Sequence, residues 1–364
     1  MLYLGIDQHK RQLTVNLRGE DGMVIHTRQV STQWEKVRAF FANLADKARP
    51  EGGFLAILEV CGMNPWLLKM LAEYGCRETV VIQPTERARQ KTDRRDAAEL
   101  SHLLWVHRHQ FLKGKHPQGL RRVQPPTAQE ADDRQLTTLR ALLTKKRTAV
   151  LNGLHKILRK HNLEQAQPTK GFQTQAVRRW LEELELPAVD RLEVNFLLPQ
   201  WDLLDEQLKS VEAKIAERAA ADEEVKLLET VPGLSHYSAV AIRSRIGDID
   251  RFKRPDSLAN FLGLTPGSNN SGEKTQRLGS ITKRGSKMVR WLLGQAVIKV
   301  LRFDGVMRAW YKRIKKKRGS KIARVAVMRR LAVILWHMLK KRQRYRYDPP
   351  IKKHQEFLAY EGAA

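Results

Sequence analysis

Four carboxylates stand where they could hold metal ions. Asp7 closes a short apolar run, LYLGI, at the point where Gln8, His9 and Lys10 take over. Glu59 lies inside FLAILEV, where an ionised carboxylate is expensive to bury unless a cation or a donor compensates it. Asp93 and Asp96 stand three apart in KTDRRDAAELSHLLWVH, at the start of a strongly periodic helix, so both point to one side of it. A strand-end Asp, a mid-sheet Glu and a helical DxxD can converge on two hard divalent cations roughly 4 Å apart, which polarise a phosphodiester and activate an oxygen nucleophile. Each residue also has a plain structural reading. Asp7 could be a turn residue, Glu59 half of an ion pair, and Asp93 with Asp96 a helix cap.

The elements that must position these residues follow from periodicity. LYLGI, TVNLRG and MVIHTRQV read as three strands of a hairpin sheet. A helix from Trp34 with Val37, Phe40, Phe41 and Leu44 on one face leads into the strand FLAILEV, which places Glu59 on one sheet face with Leu55 and Ile57. A helix at PWLLKMLAEYG and a strand at ETVVIQP complete an α/β domain. Pro and Gly then accumulate in KGKHPQGLRRVQPPTAQ, which closes the domain near residue 115. From Glu130 to Leu163 and from Trp201 to Leu228, apolar residues recur at spacings of three and four, predicting two long helices, an antiparallel coiled coil or a plain bundle. The region from Val225 to Tyr347 reads as mostly helical, interrupted by GLTPGSNNSGEKTQRLGS, and the tail from Asp348 as poorly ordered.

Charge narrows the partners. Lys and Arg number 67 against 39 Asp and Glu, a net charge of +28, so the field attracts polyanions. From Ser271 to Tyr347 there are 24 Lys or Arg, and the acids are Glu273 and Asp304. Lys274, Arg277, Lys283, Arg284, Lys315, Lys316, Lys317 and Arg318 are the cations best placed to meet phosphates. Trp310 and Tyr311 could stack on bases, with packing the plainer alternative. Cys61 and Cys76 form no CxxC pair and read as buried small hydrophobes. The N-terminal apolar stretch is too short for a signal peptide and no apolar run reaches the roughly 18 residues of a membrane span, so no membrane role and a cytoplasmic location are expected. No GxSxG or HExxH spacing suggests hydrolase or zinc-protease chemistry.

A second constellation lies towards the C-terminus. LLETVPGLSHYSAVAIRSRIG places a Pro-Gly turn between two helical stretches, like a helix-hairpin-helix that offers backbone N–H groups to a phosphate. Beyond it Ser271, followed by Gly272 and flanked by Lys274 and Arg277, is a candidate nucleophile, since nearby cations stabilise a phosphoryl transition state. Ser268, Thr275 and Ser280 offer the same hydroxyl chemistry nearby.

GID with Asp7, ILEVCG with Glu59, KTDRRDAAEL with Asp93 and Asp96, VPGLSHYSAVAI, FLGLTPGSNNSG and ITKRGSKMVRWLL, in that order, resemble the DEDD-type transposases of insertion-sequence family one-hundred-ten, the bridge-RNA-guided recombinases. The resemblance covers nearly the whole chain. It implies an RNase H-like (RuvC-like) N-terminal domain over 1–115, a helical coiled-coil connector over 116–224 and a helical transposase domain over 225–347, followed by a tail. It also implies Mg²⁺ (or Mn²⁺) on Asp7, Glu59, Asp93 and Asp96, and attack on DNA by Ser271 to give a phosphoserine link. Donor and target DNA, a noncoding guide RNA that pairs with both, and a homo-oligomer, dimers assembling to a tetramer, would be the partners. Two other functions fit the residues alone: a metal-dependent junction endonuclease with no covalent link, and a non-enzymatic nucleic-acid scaffold.

Overall fold

The computed structural model describes residues 1–83, 92–115, 117, 120–268 and 278–346. The chain divides into two compact units, one running from Met1 to Pro125 and the other starting at Pro126.

The first unit opens with β1 (Leu2–Gln8), β2 (Gln12–Arg18) and β3 (Val24–Ser31), the expected antiparallel meander. It continues through α1 (Trp34–Ala48), β4 (Phe54–Glu59), α2 (Asn64–Glu73), β5 (Cys76–Ile82), α3 (Asp93–Val106) and α4 (Arg108–Leu112). The sheet order is β3-β2-β1-β4-β5, with β4 parallel to both β1 and β5. Strict alternation sorts the side chains. Leu2, Leu4 and Ile6 of β1 join Phe41, Leu44 and Leu67 in a core on one face, while Tyr3, Leu55 and Ile57 meet Leu100 and Leu104 of α3 on the other. Residues beyond 115 still belong to this unit: the Val123 N–H donates to the Val81 carbonyl at 2.7 Å, and Arg122 bridges to Ile82. Cys61, in the turn after β4, and Cys76, the first residue of β5, are free thiols and half-buried rather than fully buried.

The second unit begins with α5 (Ala128–Lys160), whose Thr127 and Glu130 form a reciprocal capping box. It continues through α6 (Gln175–Glu183), α7 (Ala188–Ala221), α8 (Glu223–Glu229), α9 (His236–Ile246), α10 (Pro255–Phe261), β6 (Pro266–Ser268), β7 (Leu278–Ile281), α11 (Lys287–Phe303) and α12 (Gly305–Lys341). Ion pairs Arg140–Glu212, Arg147–Asp205 and Lys160–Asp190 match rising with falling numbers, so α5 and α7 run antiparallel. The second long helix differs from the one read at Trp201 to Leu228. It starts at Ala188 and passes through Pro199, because Val194, Leu198, Trp201 and Leu204 are all buried against α5, and Trp201 also stacks on Phe172 at 5.9 Å. It ends at Ala221 because Asp222 caps α8, accepting from the N–H groups of Glu224 and Val225. A separate core gathers α8 to α12, with Trp310 and Tyr311 packed on its edge, as the packing alternative had it. Among the described residues no helix is long and apolar enough to cross a membrane.

Candidate metal centre and nucleic-acid interface

Asp7 sits at the C-terminal end of β1, and Glu59 is the last residue of β4. The parallel register pairs Ile6 with Leu58, so one further step sets Asp7 beside Glu59. By alternation Asp7 shares a face with Tyr3 and Gly5, and Glu59 with Leu55 and Ile57, the face that α3 covers.

α3 brings the other two acids. Its buried residues Ala97, Leu100, Ser101 and Leu104 continue the same stripe as Asp93 and Asp96, so a helix laid on the sheet presents both carboxylates just beyond the strand ends. The capping alternative is corrected. Thr92, in extended conformation, holds the N-cap position, no side chain caps it, and Asp93 and Asp96 lie within the first turn.

Gly5 is what lets α3 lie so close. A Cβ at this position would fall 2.3 Å from the Ala97 carbonyl oxygen and 2.4 Å from the Ser101 nitrogen, so only a hydrogen fits between strand and helix. Polar bonds lock the docking. The Ser101 hydroxyl donates to Asn16 Oδ1 at 2.5 Å, Arg18 Nε donates to Ser101 Oγ at 2.9 Å, and Asn16 and Ser101 are both buried. The loop end is braced by Asn64, whose Nδ2 donates to Gln8 Oε1 at 2.9 Å and to the Glu59 carbonyl at 3.2 Å, tying β1 to β4.

The donor atoms converge only in part. Asp7, His9 and Asp93 each offer one ligand atom, and these lie within 4.8 Å of one another, close enough to surround a single divalent ion. Asp96 lies near enough to act on Asp7, while Glu59 is on the adjacent strand; neither belongs to that group of three. Burial pushes the Asp7 carboxyl above its ordinary value, the His9 ring pulls it down, and the charges of Asp96 and Asp93 push it up again. Crowded, partly desolvated carboxylates are the donor set that a hard cation relieves, so these residues fit a divalent metal. His9 is the residue that sequence reading missed. Its signal was the i+2 spacing from Asp7, which continues the strand's face past its end.

The C-terminal candidates divide in two. Ser271, Lys274 and Arg277 lie outside the described residues. On either side of them β6 pairs with β7 through Pro266 with Ile281 and Ser268 with Leu278, and the Thr282 N–H donates to the Thr265 carbonyl at 3.0 Å. Within the stretch read as an interruption between helices, the described residues thus contain a two-stranded antiparallel sheet. Lys283 and Arg284 are exposed just past β7, and Arg290 Nη1 fastens the same turn by donating to the carbonyls of Leu262 and Gly285 at 3.1 and 2.6 Å. Lys315, Lys316, Lys317 and Arg318 are exposed on α12 immediately before a sharp break at Gly319, whose φ of 81° and ψ of 165° leave the helical region.

Two family profiles match the chain. A DEDD-type transposase profile of the IS110 family covers residues 4–163, and one described as the transposase IS116/IS110/IS902 family covers residues 225–312. The transposase for insertion sequence element IS1111A of Coxiella burnetii is 27% identical, over 94% of this chain and 91% of that protein. The transposase for insertion sequence element IS1328 of Yersinia enterocolitica is 28% identical, over 43% of this chain and 47% of that protein. With its acids on strand ends and an adjoining helical DxxD, the chain belongs to the IS110 family of DEDD transposases, enzymes that cut and rejoin DNA.

Proposed function

We propose that the protein moves an insertion sequence by serine-based recombination at a site completed by Mg²⁺ (or Mn²⁺), with a noncoding bridge RNA choosing the DNA. The observation that carries the reading is the meeting of Asp7 and Asp93 where a strand end abuts the first turn of a helix. Asp7, Glu59, Asp93 and Asp96 hold the metal in this reading. When bound, the ions neutralise charge at the scissile phosphodiester. The sheet order β3-β2-β1-β4-β5 with one antiparallel edge supports a RuvC-like domain over 1–115, onto which the chain up to Pro125 also packs. The antiparallel pair of α5 and α7 supports a connector over 116–224, leaving 225–347 as the transposase domain.

In the strand exchange Ser271 Oγ forms a bond to phosphorus while the strand's own P–O bond breaks and the leaving oxygen takes a proton. A hydroxyl of the other strand then attacks the phosphoserine and releases the serine. Lys274, Arg277, Lys283 and Arg284 follow Ser271 in the sequence and neutralise phosphate charge. Lys315, Lys316, Lys317 and Arg318 grip nucleic-acid backbone. Base pairing rather than side chains reads the target, and the protein works as a homo-oligomer of dimers.

The test is a denaturing gel of protein, Mg²⁺, guide RNA and end-labelled target DNA. A covalent protein–DNA adduct is expected for the native chain and none for Ser271→Ala, with no cutting when the RNA is omitted. Cutting without an adduct in either protein would replace this reading by hydrolysis at the carboxylates, as in a junction endonuclease.

A further inference from the structure

Four carboxylates define the family's site, yet the group of donor atoms that the fold draws together contains an imidazole. His9 Nε2 lies 3.0 Å from Asp7 Oδ2 and 3.4 Å from Asp93 Oδ2. The position of the ring is built in. The His9 N–H donates to the Gln12 carbonyl at 3.0 Å, closing the turn between β1 and β2. That turn is braced in its own right, because the Thr32 N–H donates to the Arg11 carbonyl at 3.0 Å and the Thr32 hydroxyl to the Lys10 carbonyl at 3.2 Å. The ring nitrogen therefore sits on a fixed turn between a strand carboxylate and a helix carboxylate.

We infer that His9 Nε2 is a direct ligand of a divalent ion shared with Asp7 and Asp93, and that this nitrogen biases the site towards Mn²⁺ over Mg²⁺. The inference rests on the reading of the carboxylates as metal ligands and deepens it. Mg²⁺ favours oxygen donors in strict octahedral geometry, whereas imidazole nitrogen suits borderline transition ions. A site of two carboxylates and one imidazole accepts both ions and discriminates between them through the nitrogen. Without the ring, the same carboxylates form an all-oxygen site with less preference.

The probe is Mn²⁺ alone, added to the full-length protein without nucleic acid. Electron spin echo spectroscopy of bound Mn²⁺ reads directly whether a ¹⁴N nucleus is coordinated, and titration by electron paramagnetic resonance gives the Mn²⁺ affinity, with Mg²⁺ measured by competition. The native protein is expected to show imidazole ¹⁴N modulation. His9→Ala is expected to lose it, to bind Mn²⁺ at least about tenfold more weakly and to bind Mg²⁺ within about threefold of the native value. His9→Gln provides a second variant of similar size in case the alanine protein does not fold. The chain has 11 histidines, so modulation that persists in both variants would assign the nitrogen elsewhere and overturn the inference. Mn²⁺ bound without any ¹⁴N modulation would also overturn it while leaving the carboxylate reading intact. Mn²⁺ binding that is absent, or that is unchanged in Asp7→Asn and Asp93→Asn, would bring down the carboxylate reading itself.

Discussion

The carboxylate end of the first unit and the basic segment of the second are built on opposite principles. Asp7 and Asp93 are mounted on a strand end and a helix start held by the buried contact at Gly5 and by bonds among Asn16, Arg18 and Ser101. Lys315 to Arg318 are exposed on a helix that breaks at Gly319. The difference fits what each is proposed to hold. A metal ion tolerates errors of only a few tenths of an ångström in its ligands, so its donors need rigid mounting. Phosphate charge along a nucleic acid is neutralised by cations within reach, so long flexible side chains suffice.

The largest effect that would break this comparison is on the basic side. Replacing Lys315, Lys316, Lys317 and Arg318 together by Ala is expected to lower the slope of log affinity against log salt by about 0.9 per lost duplex contact, up to roughly a thousandfold in affinity at 0.1 M salt. The loss should be nearly uniform across DNA sequences in a fluorescence anisotropy titration. An unchanged slope would make the segment an ordinary solvated face.

Next come two glycines, which sharpen the contrast in rigidity. Gly5→Ala drives a methyl group into the α3 backbone and is expected to cost about 1–3 kcal/mol in urea unfolding of the first unit. It should also weaken Mn²⁺ binding, because α3 must retreat with Asp93. Gly294→Ala in α11 meets only side-chain atoms, the nearest at 3.7 Å, and is expected to stabilise the second unit by about 0.5–1 kcal/mol. Equal effects at both positions would remove the claim that the β1–α3 contact is special.

The smallest effect concerns acid. Hydrogen bonds from Lys160 Nζ at 2.8 Å and His161 Nε2 at 2.7 Å hold the Asp190 carboxyl below its ordinary value. A depressed carboxylate stabilises the fold above its unfolded value and loses that contribution as pH falls through its folded one. Stability of the α5–α7 pair should therefore decline below about pH 4, and Asp190→Asn should flatten that acid limb in circular-dichroism melts. Because Lys160 is largely exposed, the change should be modest.

Much of the first unit was legible because its signals are local. The short apolar runs LYLGI and FLAILEV set strands, the period of two set the face of Glu59, and the spacing of Asp93, Asp96, Ala97, Leu100 and Leu104 set a helix with its acids in line with its buried stripe. The misreadings have local causes as well. Pro199 and Asp222 carry opposite local signals from the ones that prevailed: a proline that usually interrupts a helix is carried through by buried neighbours, and a polar residue within an apparently continuous stripe starts a new one by capping. The pairing of β6 with β7 joins residues ten or more apart in a stretch rich in Gly, Ser and Asn, where periodicity carries no signal.

Residue types and their spacing were enough for the charge that attracts polyanions, the order of the strands and main helices of the first unit, and the four acids of the family motif, because composition and short-range periodicity are properties of neighbouring residues. The packing of distant segments settled that α3 seats on β1 through Gly5 and that His9 joins Asp7 and Asp93. Those outcomes depend on contacts between residues far apart in the chain, where the close packing of backbone against backbone selects one arrangement among many that the local pattern allows.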